Sequence, residues 1–327
     1  MKILLTGSNG FVGSHLAAEL LSRGHRVIGL GRSCTSRVNG TAYLQHDLRN
    51  PLDLVRLNEA IDVMIHCAAL ASPWASPSAF HQNNVLGTKH VVDAANSVHI
   101  PHLIYISSSS VFYEPRDQTA INEESFIPAP HDQINEYSRT KLLGEHACQA
   151  FRGKLTILRP RAVFGPRDTV LLPRILRAAQ EGRLPRLTRS DGQTAVGDLI
   201  YIDSLVSYIV KAAESQTSGC FNLTNNEPVA ISSFVDEVLK RLGYPLPTKT
   251  VPVGLAMFIA GILELVSGLF LNYREPPITR FGVSVFAYSK TFDQRRTLKH
   301  LGPPKVSVNE GLEALTQWWK TEGHKLC

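Results

Sequence analysis

Residues 3–13 read Ile3-Leu4-Leu5-Thr6-Gly7-Ser8-Asn9-Gly10-Phe11-Val12-Gly13, an apolar run that passes into glycines spaced three residues apart. A short apolar run of this kind is typical of a buried parallel strand, and the amphipathic stretch at residues 11–23 has the length of a helix. Glycines at such a junction allow a tight turn, a close approach of the backbone to a pyrophosphate and tight packing of the helix on the strand. The stretch therefore predicts a Rossmann-type unit that binds a dinucleotide.

The same alternation of buried strands and amphipathic helices continues through the first half of the chain. Further strands are predicted at residues 27–30, 63–67, 103–106 and 155–158, and helices at residues 81–97 and 137–151. After Arg159-Pro160 the rhythm loosens, and strands at residues 199–202 and 220–223 and helices at residues 205–213 and 234–242 follow. We predict an α/β fold: a Rossmann-type doubly wound parallel sheet at residues 1–164 and a smaller, mostly helical substrate-binding domain at residues 165–327, from which some segments return to the sheet.

The length, net charge and cysteine positions of the chain exclude several classes of protein. The chain has 327 residues, enough for both parts, and a net charge of +6 that is spread along it, so we expect no nucleic-acid partner. The cysteines Cys34, Cys67, Cys148, Cys220 and Cys327 are too far apart for a metal site, which favours a reducing compartment. Met1 and Lys2 lead directly into the first strand, so we expect no secretory signal and a cytoplasmic location.

The cofactor-binding residues are predicted from the first two strand ends. Backbone N–H groups at the start of the first helix would face the phosphates. The turn residues predicted to bind the cofactor are Gly7, Asn9, Gly10, Phe11, Val12 and Gly13. At the end of the second strand, Gly31 stands where an acid would accept hydrogen bonds from the 2′-hydroxyl of NAD, and Arg32 follows. This geometry favours NADP(H), with NAD(H) left open. Asp47 and Leu48 are predicted either to lie near the adenine or to form an ordinary turn.

Tyr137 and Lys141 are the predicted acid/base pair, because residues four apart share one face of a helix. A nearby ammonium stabilises a phenolate and brings its pKa toward neutral pH. A serine run, Ser107 to Ser110, follows the strand at residues 103–106 and lies at the carboxyl edge of the sheet, where one hydroxyl can polarise a reacting carbonyl. Each feature alone has an ordinary structural explanation, and their combination favours a redox enzyme.

The ordered motifs resemble those of the extended short-chain dehydrogenase/reductase family over nearly the whole chain. They are the opening glycine turn, residues 62–69, Asn84-Val85-x-Gly87-Thr88, Ser107 to Tyr113, Tyr137-x-x-x-Lys141, residues 159–166 and Tyr201-Ile202-Asp203. The resemblance implies that Ser109 belongs to the catalytic set, with Ser108 as its nearest rival, and that Asn84 lies near the active site. It further implies that Ala68 and Ala69 line the path of the cofactor and that Pro160 lies beside the nicotinamide. Glu114 departs from the glycine that is usual after the tyrosine.

Within that family the chain is similar to the 3β-hydroxysteroid dehydrogenase-like branch, which includes reductases of 2-alkyl-3-oxoalkanoates. The motifs that carry this similarity lie at residues 158–161, 172–174, 277–281 and 301–312. It implies an apolar 3-oxo or 3-hydroxy substrate, either a sterol or a 2-alkyl-3-oxo acid. One alternative is a nucleotide-sugar 4-epimerase or dehydratase, yet Gly197 stands where those enzymes carry a diphosphate-binding arginine. The second alternative is a non-catalytic NADP(H)-binding sensor, which is disfavoured because Tyr137 and Lys141 are both present.

The run at residues 251–271 is almost wholly apolar and lies inside the predicted substrate domain. On one helix, Gly254, Gly261 and Gly268 would form a small-residue stripe, with Glu264 at its flank. We leave two leading interpretations open, a lid over the substrate cavity and a helix lying in a membrane interface, because the carboxylate disfavours a true span. The helices at residues 80–97 and 137–151 are candidates for pairing two subunits, so a homodimer is also left open.

Overall fold

The computed structural model describes residues 1–57 and 59–323, and Cys327 lies outside that part of the chain. Its strands are β1 (Lys2–Thr6), β2 (Arg26–Gly31), β3 (Ala42–Gln45), β4 (Val63–His66), β5 (His102–Ile106), β6 (Gln118–Ile121), β7 (Lys154–Pro160), β8 (Val163–Phe164), β9 (Arg186–Thr188), β10 (Val196–Gly197), β11 (Ile200–Tyr201), β12 (Gly219–Leu223), β13 (Val229–Ala230), β14 (Thr250–Pro252) and β15 (Lys290–Phe292). Its α-helices are α1 (Phe11–Ser22), α2 (Pro77–Phe80), α3 (Gly87–Ser97), α4 (Glu136–Cys148), α5 (Leu172–Gln180), α6 (Ile202–Glu214), α7 (Ile231–Leu242), α8 (Val253–Phe270), α9 (Arg280–Ala287), α10 (Arg295–Leu301) and α11 (Val308–Thr321).

The main sheet has seven parallel strands in the order β3-β2-β1-β4-β5-β7-β12. Its central strands are buried on both faces, since helices cover them, and this explains why each reads as a continuous apolar run. The strand order reverses beside β1, and ligands of doubly wound sheets bind in the crevice at such a point. The predicted Rossmann-type fold class is confirmed.

One predicted helix is interrupted in the structure. Residues 81–97 were expected to form a single α-helix, whereas α2 begins after the Ser76 cap with Pro77, a π-helix occupies His81–Leu86, and α3 follows. A π-helical turn inserts an extra residue and changes which side chains face inward. Asn84 lies in this turn and is buried at 1% exposure.

The second half of the chain contributes to both the main sheet and a separate one. Strand β12 pairs with β7 at the edge of the main sheet, as the sequence predicted for a returning segment. A smaller sheet with the order β13-β10-β15-β6 joins the loop after β5 to the C-terminal segments. Helix α6 packs against α1 in the largest hydrophobic cluster, which contains residues from before and after position 164. The division at residue 164 stays a prediction.

Candidate active site

The glycine turn has the shape that a bound pyrophosphate needs. Gly7 has a φ of +69°, and a Cβ on it would lie 2.8 Å from Cα of Ala68. A Cβ on Gly13 would lie 2.1 Å from the Gly7 carbonyl oxygen, so the helix packs on the turn at backbone distance. Helix α1 begins directly after Gly10 without a side-chain cap, which leaves the N–H groups of its first turn available to phosphate oxygens.

Asn9 braces the loop that follows β2. Its side-chain amide donates to the Thr35 carbonyl at 2.8 Å, and its carbonyl oxygen accepts the Arg37 N–H at 2.8 Å. The amide also lies 3.3 Å from the Tyr43 hydroxyl. These contacts make Asn9 a positioning residue for residues 33–41, while its predicted contact with the cofactor is untested.

The end of β2 leaves no room for an acid. A Cβ on Gly31 would lie 2.7 Å from the Tyr43 hydroxyl, so a larger residue there requires Tyr43 to move. Arg32 is exposed beside this point. Asp47 is bound bidentately by Arg49, and that hydrogen bond lowers the pKa of the Asp47 carboxyl to about 2. The ends of β2 and β3 therefore present the Arg32 guanidinium and the Asp47 carboxylate, which Arg49 already pairs.

The remaining predicted cofactor residues lie at the same edge of the sheet. Leu48 is buried, and its carbonyl accepts a hydrogen bond from His90 at 2.8 Å. Ala68 donates its N–H to the Thr6 hydroxyl at 3.2 Å, while Ala69 next to it is exposed. Pro160 is buried at the end of β7. All of them follow or end parallel strands, so they lie at the carboxyl edge of the main sheet, and their contact with a cofactor stays a prediction.

Tyr137 lies in the first turn of α4, which is capped by the Asn135 side chain accepting the Ser138 N–H at 2.8 Å. Its ring packs on Phe80 with centroids 6.4 Å apart, and it forms part of a cavity wall. Burial raises the pKa of the Tyr137 phenol, and a hydrogen bond with Ser108 lowers it. The phenol is thus protonated at neutral pH.

The two candidate serines of the loop lie in different surroundings. The Ser109 hydroxyl is buried and lies 3.1 Å from the Tyr113 hydroxyl, whereas the Ser108 hydroxyl donates to Ser110 at 2.9 Å and acts to lower the pKa of Tyr137. The reason is the short 3₁₀-helix at Ser109–Phe112, which turns Ser109 toward the protein interior. These contacts favour Ser108, the rival that the resemblance also allowed, while the catalytic role of Ser109 stays a prediction.

Lys141 lies beneath the serine loop. Its ammonium is buried, donates to the Ile106 carbonyl at 2.6 Å and lies 4.2 Å from the centroid of the Tyr105 ring. Burial lowers the pKa of Lys141 to about 8. The sequence predicted that this charge would lower the pKa of Tyr137; in the structure, burial raises that pKa and Ser108 provides the opposing contribution.

Asn84 joins the segment after β4 to α4 through its side-chain amide, and its predicted part in the reaction stays a prediction. Its side-chain oxygen accepts the Leu70 N–H at 2.7 Å, and its amide donates to the Leu70 carbonyl and to the Thr140 hydroxyl at 3.1 Å. It therefore fixes the segment after β4 against α4, one turn from Tyr137. The π-helix aims it inward, a feature that helix periodicity could not reveal.

A buried ion pair supports the serine loop from below, and sequence reasoning missed it. The Glu145 carboxylate accepts hydrogen bonds from Arg159 at 2.6 and 2.9 Å and from the Ser107 hydroxyl at 2.5 Å. Arg159 also lies 4.9 Å from the Phe112 ring. The sequence signal that could have revealed this pair is Arg159 itself, an arginine at the end of a strand predicted to be buried. Buried charges are normally paired, so an acidic partner was to be expected.

A cavity of about 490 Å³ extends from Tyr137 between α5, α7 and α9. The four arginines among the described residues of its wall are already engaged: Arg174 with Glu275, Arg183 with Glu181, Arg186 with Asp236, and Arg189 with Asp117 and Asp191. The remaining wall is largely aliphatic and aromatic, including Ile175, Val235, Phe281 and Phe286. Such a space suits an apolar molecule whose one polar group reaches Tyr137.

Known proteins resemble this chain in sequence and in fold. A model of the NAD dependent epimerase/dehydratase family matches residues 3–223. A 2-alkyl-3-oxoalkanoate reductase of Stenotrophomonas maltophilia (strain K279a) is 31% identical, covering 96% of this chain and 98% of its own. A decarboxylating sterol-4-alpha-carboxylate 3-dehydrogenase of Mus musculus is 28% identical over 97% of this chain and 90% of its own. The solved UDP-glucuronic acid 4-epimerase from Bacillus cereus in complex with NAD has the same fold, with a TM-score of 0.74 at 24% identity over 98% of this chain and 99% of its own.

Proposed function

The chain belongs to the NAD dependent epimerase/dehydratase family and is an NAD(P)-dependent dehydrogenase/reductase, and from this we propose the reaction that it performs. It interconverts a ketone and a secondary alcohol on an apolar 3-oxo or 3-hydroxy substrate, of sterol or 2-alkyl-3-oxo acid type, with NADP(H) as the favoured cofactor. The observation that carries this proposal is the cavity. Its wall is largely apolar, its arginines are paired with carboxylates, and the tyrosine that lines it is Tyr137.

Each residue of the site has a defined task in ketone reduction. The bound nicotinamide cofactor supplies the hydride to the carbonyl carbon. Tyr137 donates its phenolic proton to the carbonyl oxygen, so that one C–H bond and one O–H bond form. Ser108 hydrogen-bonds the same oxygen and stabilises the charge that develops on it. Lys141, four residues further along α4, would hold the nicotinamide ribose, and the raised pKa of Tyr137 keeps the proton in place beforehand.

Two alternatives have less support. A nucleotide-sugar epimerase or dehydratase needs a cation for the diphosphate, and at Gly197 a Cβ would lie 2.9 Å from Cδ1 of Ile231, which leaves little room for an arginine. A cofactor sensor without chemistry would not need a tyrosine on a cavity wall with Ser108 acting to lower its pKa. The apolar cavity therefore favours the oxidoreductase over both.

The first experiment is a substrate panel with purified protein. We expect NADPH oxidation with 2-alkyl-3-oxo acids or 3-ketosteroids, because their carbon skeletons fill an apolar cavity and place one carbonyl at Tyr137. UDP-glucose and UDP-galactose, incubated with NAD, should not interconvert. Measurable interconversion of those sugars without NADPH oxidation by any ketone would overturn the proposal, and no reaction in either assay would favour the sensor.

The cofactor preference has a separate basis at the end of β2. Gly31 offers no carboxylate to repel a 2′-phosphate, and the exposed Arg32 guanidinium can bind that phosphate bidentately. Arg37, also exposed, lies in the loop that Asn9 holds beside the turn. These features support NADP(H), while the family description itself names NAD.

Exchanging the charge at position 32 tests this preference. Arg32→Asp should weaken NADPH binding by about ten- to a hundredfold, because it replaces a charged hydrogen bond with repulsion, and should change NADH binding little. Arg152→Asp is the matched control: Arg152 is exposed and precedes β7, at the opposite edge of the sheet from the cofactor. Fluorescence titration of the wild type and both variants with each cofactor measures six dissociation constants. Tighter binding of NADH than NADPH in the wild type, unchanged in Arg32→Asp, would contradict the assignment.

A further inference from the structure

Helix α8 carries its bulky apolar side chains on the outside. The residues that it buries are mostly small or polar: Val253, Ala256, Ala260, Glu264 and Ser267. Its exposed face carries large apolar side chains, continued by the next residue: Leu255, Phe258, Ile259, Ile262, Leu265, Val266, Leu269, Phe270 and Leu271. Phe258, Leu265 and Phe270 are 67%, 63% and 77% exposed. Alanines, and not the predicted glycine stripe, make the closest packing contacts, since Gly254 has open space beside it.

The inner face of α8 is firmly attached to the protein. Ala256 and Ala260 pack on Val283 and Ala287 of α9. Glu264 accepts hydrogen bonds from the Arg280 N–H and guanidinium, both at 2.7 Å. Near the end of the helix, the Trp74 indole N–H donates to the Ser267 hydroxyl at 3.0 Å. These attachments run along the helix, so α8 lies flat on the surface and cannot cross a bilayer while they persist.

The helix is not a lid on the cavity. None of the described residues that line the cavity belongs to α8; α9 and Leu187 stand between them. One face of α9 lines the cavity with Phe281 and Phe286, while Val283 and Ala287 also reach α8. The lid interpretation is therefore wrong for this structure, and α8 forms an outer layer over the wall of the cavity.

A partner that binds the exposed face of α8 has to match both its apolar centre and its charged ends. Contiguous exposed apolar patches of more than a few hundred Å² are rare on free soluble proteins and mark interaction sites. The helix is about 27 Å long, and exposed cations, Lys249 before it and Arg274 after it, flank the apolar face. Neither cation forms an ion pair with a described residue. The Trp74 and Tyr273 rings, 6.3 Å apart, lie at the same end as Arg274.

We propose that the outer face of α8 docks in the interface of an anionic lipid bilayer, with Lys249 and Arg274 on the lipid phosphates. An apolar helix face sinks into the boundary between headgroups and acyl chains, where aromatic rings and basic side chains are also favoured. Docking in this way places one helix, α9, between the lipid and the cavity. The inference goes beyond the proposed reaction and does not depend on it, because it concerns a surface that touches neither the cavity nor the cofactor crevice.

Vesicle flotation of the full chain tests the docking. Wild-type protein should float with vesicles of phosphatidylcholine and phosphatidylglycerol, and less with phosphatidylcholine alone. Phe258→Glu and Leu265→Glu should each lower binding at least about tenfold, because a charge replaces a buried apolar group in the interface. The Lys249→Gln/Arg274→Gln double variant should lose about tenfold or more on the anionic vesicles only, and added salt should produce the same loss.

Phe126→Glu provides the matched control, since Phe126 is 72% exposed but lies in the loop after β6 and is not part of α8. It should float like the wild type. The proposal is overturned if the wild type stays unbound on both vesicles, or if Phe126→Glu loses as much binding as Phe258→Glu. It is also overturned if sedimentation shows a dimer that Phe258→Glu dissociates while vesicles capture neither form, because a second copy would then cover the face. NADPH-dependent turnover of a water-soluble ketone, equal in all variants, keeps these results separate from the proposed reaction.

Discussion

Replacing Tyr137 with phenylalanine should lower kcat for ketone reduction by about 10²- to 10⁴-fold, while the Kd for NADPH stays nearly unchanged. The substitution removes only the phenolic oxygen, which donates the proton, and keeps the ring that packs on Phe80. Steady-state kinetics on the best ketone of the panel and fluorescence titration of NADPH measure the two quantities. Full activity of Tyr137→Phe would refute the role of Tyr137 as the acid.

The neighbouring serines supply the control for that experiment. Ser108→Ala should reduce kcat by about 10²-fold, since the hydroxyl that acts to lower the pKa of Tyr137 and stabilises the developing oxyanion is lost. Ser109→Ala makes the same chemical change one residue away, where the hydroxyl faces Tyr113, and should retain most of the activity. A larger loss from Ser109→Ala than from Ser108→Ala would restore the original choice of Ser109.

Glu145→Gln should lower the free energy of unfolding by about 3 to 5 kcal/mol. Glu145 and Arg159 are 4% and 6% exposed, so removal of the carboxylate charge leaves a guanidinium uncompensated where water cannot reach it. The Ser107 hydroxyl loses a charged acceptor in the same change, and the serine loop loosens. Urea denaturation followed by circular dichroism gives the difference, provided that the slope of the transition is unchanged.

Glu136→Gln is the matched control on the same helix. Glu136 pairs with Arg139 at 2.8 Å, with both side chains about one third exposed, and such surface pairs contribute at most about 1 kcal/mol. The Glu145→Met/Arg159→Met double variant should recover much of the lost stability, because apolar side chains of similar size remove the unpaired charge. Equal losses from Glu145→Gln and Glu136→Gln would show that the buried pair does not stabilise the fold.

The fold could be predicted because its signals are local. Strands buried on both faces read as apolar runs, so β1, β2, β4, β5 and β7 were found within about one to three residues of their observed ends. The glycine turn could be predicted for the same reason, since the closest contacts that require glycine there are mostly with backbone atoms only a few residues away. Helix 81–97 was misread because a π-helical turn changes the periodicity without changing the composition.

The site was predicted less completely because its pairings are not local. The Glu145 carboxylate accepts hydrogen bonds from Arg159 and Ser107, which belong to other parts of the fold. The spacing of these residues in the sequence does not predict the contact. The choice between Ser108 and Ser109 depends on where a 3₁₀-helix begins, which a run of four serines leaves undetermined. Burial also reversed the expected shift in the pKa of Tyr137, because solvent exclusion is a property of the assembled fold.

The contact between Gly31 and Tyr43 makes cofactor preference a property of two positions rather than one. An aspartate at position 31, which would suit a free 2′-hydroxyl, would lie against the Tyr43 hydroxyl, so the Tyr43 side chain would have to shift. Shrinking Tyr43 alone removes a partner of Asn9 and loosens the loop that carries Arg37. A change of coenzyme at this site would therefore involve position 31, position 43 and the loop that Asn9 holds, all together.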